Sequence, residues 1–335
     1  MRRRVVLVCP GRGSYGREQL GSLVSTPSVA AADALRATLG RPTPTEMDGA
    51  PQYSSRLHIA GENASILTAA FTLADRDQLD DVEVVAVIGN SMGWYTALAV
   101  AGALPLADGL RLIETMGQYQ AGNVIGGQVL YPLCDEKWRP DPSPEVDALL
   151  SATPNLYPSI FLGGQLVLGG DPAAVATALA TLPARRIGQH EAPMQLPLHS
   201  AFHTPLMHDT AARAARALAD LDWRPPTIPL VDGRGAIFRP RSADPAGLAA
   251  YTLGHQVVAP YDFTASVRVA LREYAPDALV LLGPGGNLGG PVAQALIAEG
   301  WRALHNKADF LAAQEKALFV LSMARPEQRA LVSRA

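Results

Sequence analysis

The chain has 335 residues, 48% of them hydrophobic, and its 28 basic residues against 31 acidic ones leave a net charge of −3. That length can bury a sizeable core in one large domain with an insertion or in two domains. The charge excludes a dedicated nucleic-acid binder, which needs clustered positive charge to neutralise phosphates, and the two cysteines, Cys9 and Cys134, supply neither a disulfide framework nor a metal site.

Met1-Arg2-Arg3-Arg4 leads into the apolar run 5–9, which Pro10-Gly11 ends at once. The run is too short for a secretion signal and no small-residue cleavage site follows, so it reads as a first strand with a solvated basic lead in a cytoplasmic protein. No stretch approaches the roughly 18 apolar residues of a membrane span. The glycine-rich turn 10–16 lacks the Gly-Lys-Ser/Thr ending of a phosphate-binding loop. Its better use is to bring backbone N–H groups near a nucleophile.

Residues 63–75 have a helical pattern, and the run 82–88 is β-branched and apolar, the signature of a strand buried on both faces. Residues 95–104, rich in Ala and Leu, read as a helix. Between strand and helix stands Gly89-Asn90-Ser91-Met92-Gly93, a G-x-S-x-G pattern. An abrupt strand-to-helix turn forces its central residue into strained angles, and flanking glycines let the chains pass closely. Ser91 is therefore the candidate nucleophile, with the N–H of Met92 at a helix start where unpaired donors can hold an oxyanion.

A second helix is predicted over 105–120. From 123 to 196 the pattern changes to short strands (127–134, 159–162, 165–168), a proline-rich link at 140–144 and helices at 145–152 and 172–182. This predicts a small α+β unit inserted between a large part formed by 1–122 and 197–335. The main part resumes with a helix at 209–218, a strand at 228–231 and a basic loop carrying Arg234, Arg239 and Arg241. A buried strand at 278–282 then ends in the glycine-rich turn 283–290, where Leu288 occupies the place of a dinucleotide loop's third glycine, so NAD binding is not expected.

A serine hydroxyl needs a base, and histidine serves best near neutral pH. His58, His190, His208, His255 and His305 sit in polar or helical settings, and most of them read as surface residues. His199 and His203 fall where the chain re-enters the main part. His203 directly precedes Thr204-Pro205, where extended chain must stop, and is preferred as the base. His199 reads equally as a packed residue. The nominal third member, Asp171, lies in the inserted unit, so a Ser–His dyad oriented by backbone carbonyls, around Asp232-Gly233, is the more economical expectation.

With these residues in hand, the chain resembles the malonyl-CoA:acyl carrier protein transacylases and polyketide synthase acyltransferases over roughly residues 5 to 300. Cys9-Pro10-Gly11-Arg12-Gly13-Ser14 is similar to that family's F-P-G-Q-G-S turn, Gly89 to Gly93 to its G-H-S-L-G, and 201–207 to its A-F-H-S-P-L-M. Residues 256–263 and Gly283-Pro284-Gly285 resemble its closing motifs. The resemblance implies an α/β hydrolase-like core with a parallel sheet plus an inserted, small ferredoxin-like subdomain, and a cleft between them. It implies that Ser91 takes an acyl group from a thioester with His203 as base, and that the N–H groups of Arg12 and Met92 form the oxyanion hole. An acyl carrier protein would then receive the group on its phosphopantetheine thiol, with no cofactor or metal resident in the chain.

The departures from the family pattern are informative. Its R-L-V-E-x-R-G stretch, whose second arginine clamps the malonyl carboxylate, is here Arg111-Leu112-Ile113-Glu114-Thr115-Met116-Gly117. A carboxylate buried against a thioether would cost several kcal/mol, so a monocarboxylic or otherwise uncharged acyl group is expected. Asn90 replaces the family histidine, Trp94 its glutamate and Arg12 its glutamine; the guanidinium of Arg12 is a candidate for contact with a polar substituent on the acyl group. With Phe202 and Asn63, which matches the family's pocket glutamine, Asn90, Trp94 and Met116 are the expected substrate-binding residues. Acidic carriers call for arginines at the cleft mouth, and Arg185, Arg186, Arg234 and Arg239 are the candidates. The expected function is transfer of a non-malonyl acyl group in polyketide-type metabolism. The competing readings are an acyl-thioesterase, a malonyl transferase and a non-catalytic carrier-binding protein.

Overall fold

A computed structural model describes residues 2–188 and 190–333. In chain order its strands are β1 Arg3–Cys9, β2 Val82–Gly89, β3 Gly127–Pro132, β4 Leu156–Leu162, β5 Gln165–Gly170, β6 Arg185–Ile187, β7 His190–Ala192, β8 Met194–Gln195, β9 Leu230–Val231, β10 Ile237–Phe238, β11 Tyr261–Asp262, β12 Ala278–Leu281 and β13 Val320–Ser322.

The larger sheet has the order β10-β9-β2-β1-β12-β13 and is parallel except for its β10 edge. Central strands of such a sheet are covered on both faces and must be apolar along their whole length rather than alternating. Val5 to Cys9 of β1 and all of β12 are accordingly buried. The helix Gly93–Val100 packs on β1 and β2, and Phe263–Tyr274 packs on β2. Both strands of the motif region thus deliver their carboxyl ends, and the turns that follow, to one edge of the sheet.

The smaller unit is an antiparallel sheet of β4, β5, β3 and β8, backed by the helices Pro144–Ala152 and Pro172–Thr181, in a ferredoxin-like α+β arrangement. Val129, Tyr131, Leu149, Leu168 and Val175 belong to its own apolar cluster. One strand crosses the boundary: β11, from residues 261–262, pairs in parallel with β4. The small sheet is therefore completed by the large part of the chain, a pairing between distant segments that strand periodicity does not reveal.

The predicted strand 228–231 shortens to Leu230–Val231, and the predicted helices 105–120 and 209–218 become Leu106–Gln118 and His208–Ala217. Pro27–Thr38, with Thr26 as its N-cap, and Phe263–Tyr274, with Asp262 capping its first turn, are helices that the sequence pattern does not announce. No helix among the described residues is long and apolar enough to cross a membrane.

Candidate active site

β2 ends at Gly89 and the helix Gly93–Val100 begins four residues later, with Ser91 between them at φ +54°. This is left-handed backbone that a residue with a Cβ adopts only under strain. The two glycines are required by contact. A Cβ on Gly89 would lie 2.3 Å from the Gly93 carbonyl carbon, and one on Gly93 would lie 2.2 Å from the Cys9 carbonyl oxygen. The tight crossing lifts Ser91 off the sheet edge.

Ser91 Oγ lies 2.8 Å from Nε2 of His203. His203 is fully buried, has φ +62° and donates its backbone N–H to the Val257 carbonyl at 2.8 Å. Its Nδ1 is 2.5 Å from the carbonyl oxygen of Gln256. A carbonyl can only accept, so Nδ1 carries the proton and Nε2 is left with a free lone pair facing the serine hydroxyl. Burial, opposed by the bond to Gln256, lowers the His203 pKa from 6.5 to about 4, which keeps the ring neutral at physiological pH. The same Gln256 steadies the Ser91 backbone: its Nε2 donates to the Ser91 carbonyl at 3.1 Å while its Oε1 accepts from Tyr95 Oη at 2.7 Å. The orienting carbonyl is thus at 256. The expected carbonyls around Asp232-Gly233 serve elsewhere, with the Asp232 carboxylate on Arg234 and its carbonyl accepting from Ser266.

The turn after β1 passes over the serine. A Cβ on Gly11 would sit 2.9 Å from the Asn90 carbonyl oxygen and 3.7 Å from Ser91 Cβ. The backbone N–H groups of Arg12 and Met92 donate to no protein acceptor among the described residues. Met92 caps the start of the helix Gly93–Val100, where the helix dipole favours negative charge.

These groups open into a cavity of about 630 Å³ between the two sheets, a volume within the range of small-ligand sites. Met116, Leu130, Ile160, Val167, Met194 and Phe202 give it apolar walls. Among the described residues its lining contains one guanidinium, that of Arg12, three histidines and no carboxylate. Arg12 is half-buried, and burial, opposed by the charge of Glu62, lowers its pKa to about 10. His199 lines the same cavity, but its Nδ1 is bonded to the Pro197 carbonyl at 2.8 Å, and burial together with the charge of Arg12 lowers its pKa to about 3.

Several sequence expectations change here. Asn90, Met116, Phe202 and Arg12 line the cavity. Trp94 does not: it is fully buried with Nε1 donating to Thr252 at 2.9 Å and its ring edge-on to Tyr251. Asn63 also faces away, its Oδ1 accepting from Arg36 at 2.5 Å in a buried network in which Arg36 also grips Glu114 at 2.9 Å. Asp171 caps the helix Pro172–Thr181, accepting from Ala174 at 2.8 Å, and makes no hydrogen bond to His203. His58 is buried, not on the surface, stacked on Tyr15 and Tyr53 and bonded to Ser54 and Met47. Of the arginines proposed for a carrier, Arg185 is tied to Asp141, Arg234 to Asp232 and Arg239 to Glu273. Arg186, exposed on β6, forms no ion pair among the described residues. Gln256 enters the sequence reading only as the head of the closing motif 256–263, with no role of its own, because the atom that holds His203 is a backbone carbonyl.

No family model matches the chain. The chain is similar to a phenolphthiocerol/phthiocerol polyketide synthase of Mycobacterium tuberculosis, 31% identical over 147 residues that cover 44% of this chain and 7% of that much longer protein. It is similar along most of its length to the malonyl CoA-acyl carrier protein transacylase of Mycobacterium bovis, 27% identical over 327 residues, covering 91% of this chain and 97% of that one. Among solved structures, the acyl-carrier-protein S-malonyltransferase from Burkholderia pseudomallei matches with a TM-score of 0.74 at 22% identity, over 98% of each chain. The chain has the malonyltransferase fold.

Proposed function

We propose that the chain is a serine acyltransferase that moves a non-malonyl acyl group from a thioester, through an acyl-serine, to the phosphopantetheine thiol of an acyl carrier protein in polyketide-type metabolism. The observation that carries this reading is the hydrogen bond of 2.8 Å between Ser91 Oγ and a His203 Nε2 that has no proton of its own, at the edge of an apolar cavity. In the first half-reaction Oγ attacks the thioester carbonyl as His203 takes its proton, and the oxyanion is received by the N–H groups of Arg12 and Met92. Collapse breaks the C–S bond, and the imidazolium returns the proton to the departing thiolate. In the second, the carrier thiol gives its proton to His203 and attacks the ester carbonyl; collapse breaks the C–O bond, and the imidazolium hands the proton to the departing Ser91 Oγ.

Met116, buried in the cavity wall, supports the choice of acyl group. A malonyl carboxylate there would lose its water against a thioether without a bidentate partner. The phosphopantetheine belongs to the carrier or to coenzyme A, so this chemistry asks for no resident cofactor, and the two free cysteines suit a reducing cytoplasm. The relatives named as polyketide synthase and acyl carrier protein transacylase support the carrier as acceptor.

The test is to supply butyryl-carrier as donor and an unloaded carrier as acceptor and to follow the acyl mass. Transfer to the acceptor is the expected result. Release as butyric acid without transfer would make the protein a thioesterase, and no change in either carrier would remove the catalytic reading.

A further inference from the structure

Two consecutive carbonyls hold His203. Its Nδ1 bonds to the Gln256 carbonyl at 2.5 Å, and its backbone N–H donates to that of Val257 at 2.8 Å. Gln256–Val258 closes a continuous helical run that begins at Pro245, so both carbonyls belong to its last turn, whose acceptors a helix leaves without internal donors. The turn before them is irregular. Tyr251–His255 is a π-turn, in which the Gln256 N–H reaches back to the Tyr251 carbonyl. Such turns are rare in proteins and gather at functional sites. One extra residue wound into the helix changes the direction in which the carbonyls after it point.

The contacts that hold this turn come from the helix that follows Ser91. Trp94 is fully buried, donates from Nε1 to Thr252 Oγ1 at 2.9 Å and sets its ring edge-on to Tyr251 at 5.3 Å between centroids. Thr252 is itself fully buried, and the hydroxyl of Tyr251 accepts from the Gly233 N–H at 2.9 Å. One turn further along, Gln256 Oε1 accepts from Tyr95 Oη at 2.7 Å. A closed path results. It runs from Ser91 along its helix to Trp94, across one hydrogen bond to the π-turn, on to the Gln256 carbonyl, through the His203 ring and back to Ser91 Oγ. An indole N–H can only donate, so the cross-link depends on an acceptor at position 252.

We propose that Trp94, acting through Thr252 and the π-turn, is a positioning residue that sets where the Gln256 carbonyl holds the His203 ring against Ser91; this rests on the acyltransferase reading above. Trp94 touches neither reacting atom. Its effect is on the placement of the base, and a misplacement of about 1 Å suffices to cost on the order of 100-fold in rate.

The test compares the wild type with Trp94→Phe, Thr252→Val and Thr252→Ser. Two quantities are read: the rate of Ser91 acylation over a range of butyryl-CoA concentrations, and the downfield proton resonance of His203 Nδ1–H, identified by its loss in His203→Ala. Trp94→Phe keeps an aromatic ring without the donor, Thr252→Val keeps the shape without the acceptor, and Thr252→Ser keeps the acceptor. The first two are each expected to lower the saturating rate by about tenfold to 100-fold, to leave the half-saturating concentration within about twofold, and to shift or broaden the resonance. Thr252→Ser is expected to stay close to the wild type in both. Trp94→Phe combined with Thr252→Val is expected to be no slower than the slower single variant, because both remove the same bond. Should either single variant fail to fold, the other carries the comparison with Thr252→Ser. An unchanged rate and resonance in the folded variants, a loss confined to the half-saturating concentration, or Thr252→Ser as impaired as Thr252→Val overturns the proposal and leaves the acyltransferase reading intact. A wild type that butyryl-CoA does not acylate overturns the acyltransferase reading instead, and the response of the resonance then decides the positioning of the ring.

Discussion

The carbonyl oxygen of Gln256 stands 2.5 Å from Nδ1 of His203, on the far side of the ring from Ser91. A neutral amide carbonyl fixes the tautomer as well as a carboxylate would, but adds no full negative charge to raise the ring's basicity. The ring is also completely buried, and its pKa falls to about 4 as a result.

A pH profile follows from the sign of that shift. On the proposed mechanism the competent base is the neutral ring, and its protonated form is destabilised by burial, so activity is expected to persist as pH falls through the ordinary histidine value of 6.5 and to be lost only as pH approaches about 4. In kcat/KM, which reports the free enzyme, the acid limb is expected well below pH 6. A limb centred near 6.5 would mean that the ring is solvated and that the dyad is not closed in the resting protein.

The elbow makes a stability prediction. Gly93→Ala brings a methyl to within 2.2 Å of the Cys9 carbonyl in a crossing with no flexible side chain to give way. Overpacking of this kind is expected to cost about 3 kcal/mol or more, read as a lowered denaturant midpoint or as loss of folded protein. Gly290→Ala, with nothing within 4 Å of the added carbon, is the control and is expected to be neutral or stabilising by up to about 1 kcal/mol. Equal effects from the two would show that close approach is not what selects glycine at 93.

What sequence reasoning can and cannot find follows from which part of each residue acts. Ser91 and His203 are legible because each stands at an abrupt stop in a regular pattern, between glycines in one case and before Thr204-Pro205 in the other. The motif 256–263 marks Gln256, but its contact with His203 is not legible, because the atom that makes it belongs to the main chain, which every residue shares. Trp94 follows Ser91 closely in sequence, yet successive helix positions rotate by about 100°, and its indole points to Thr252 instead of the cavity. Asn63 matches a pattern without its partner, since Arg36 lies on the separate helix Pro27–Thr38. The β11–β4 pairing joins segments about a hundred residues apart, beyond the reach of any local signal.

Acyl-group choice is testable at the wall itself. Met116→Arg puts a guanidinium where the chain now has a thioether, and bidentate pairing with a carboxylate is then available. Malonyl loading relative to butyryl loading of Ser91 is expected to rise by about tenfold or more, a step worth roughly 1.4 kcal/mol. An unchanged ratio would mean that position 116 does not face the end of the acyl chain.

The central claim is that Ser91 becomes an ester with His203 as its base. Intact-protein mass spectrometry after brief exposure to butyryl-CoA tests it most directly, with Ser91→Ala and His203→Ala alongside. The account predicts one added butyryl group on the wild type, mapped to Ser91, none on Ser91→Ala, and acylation of His203→Ala slowed by about 100-fold to 10,000-fold, as loss of a general base entails. A butyryl adduct that survives Ser91→Ala, or wild-type acylation rates in His203→Ala, would contradict it.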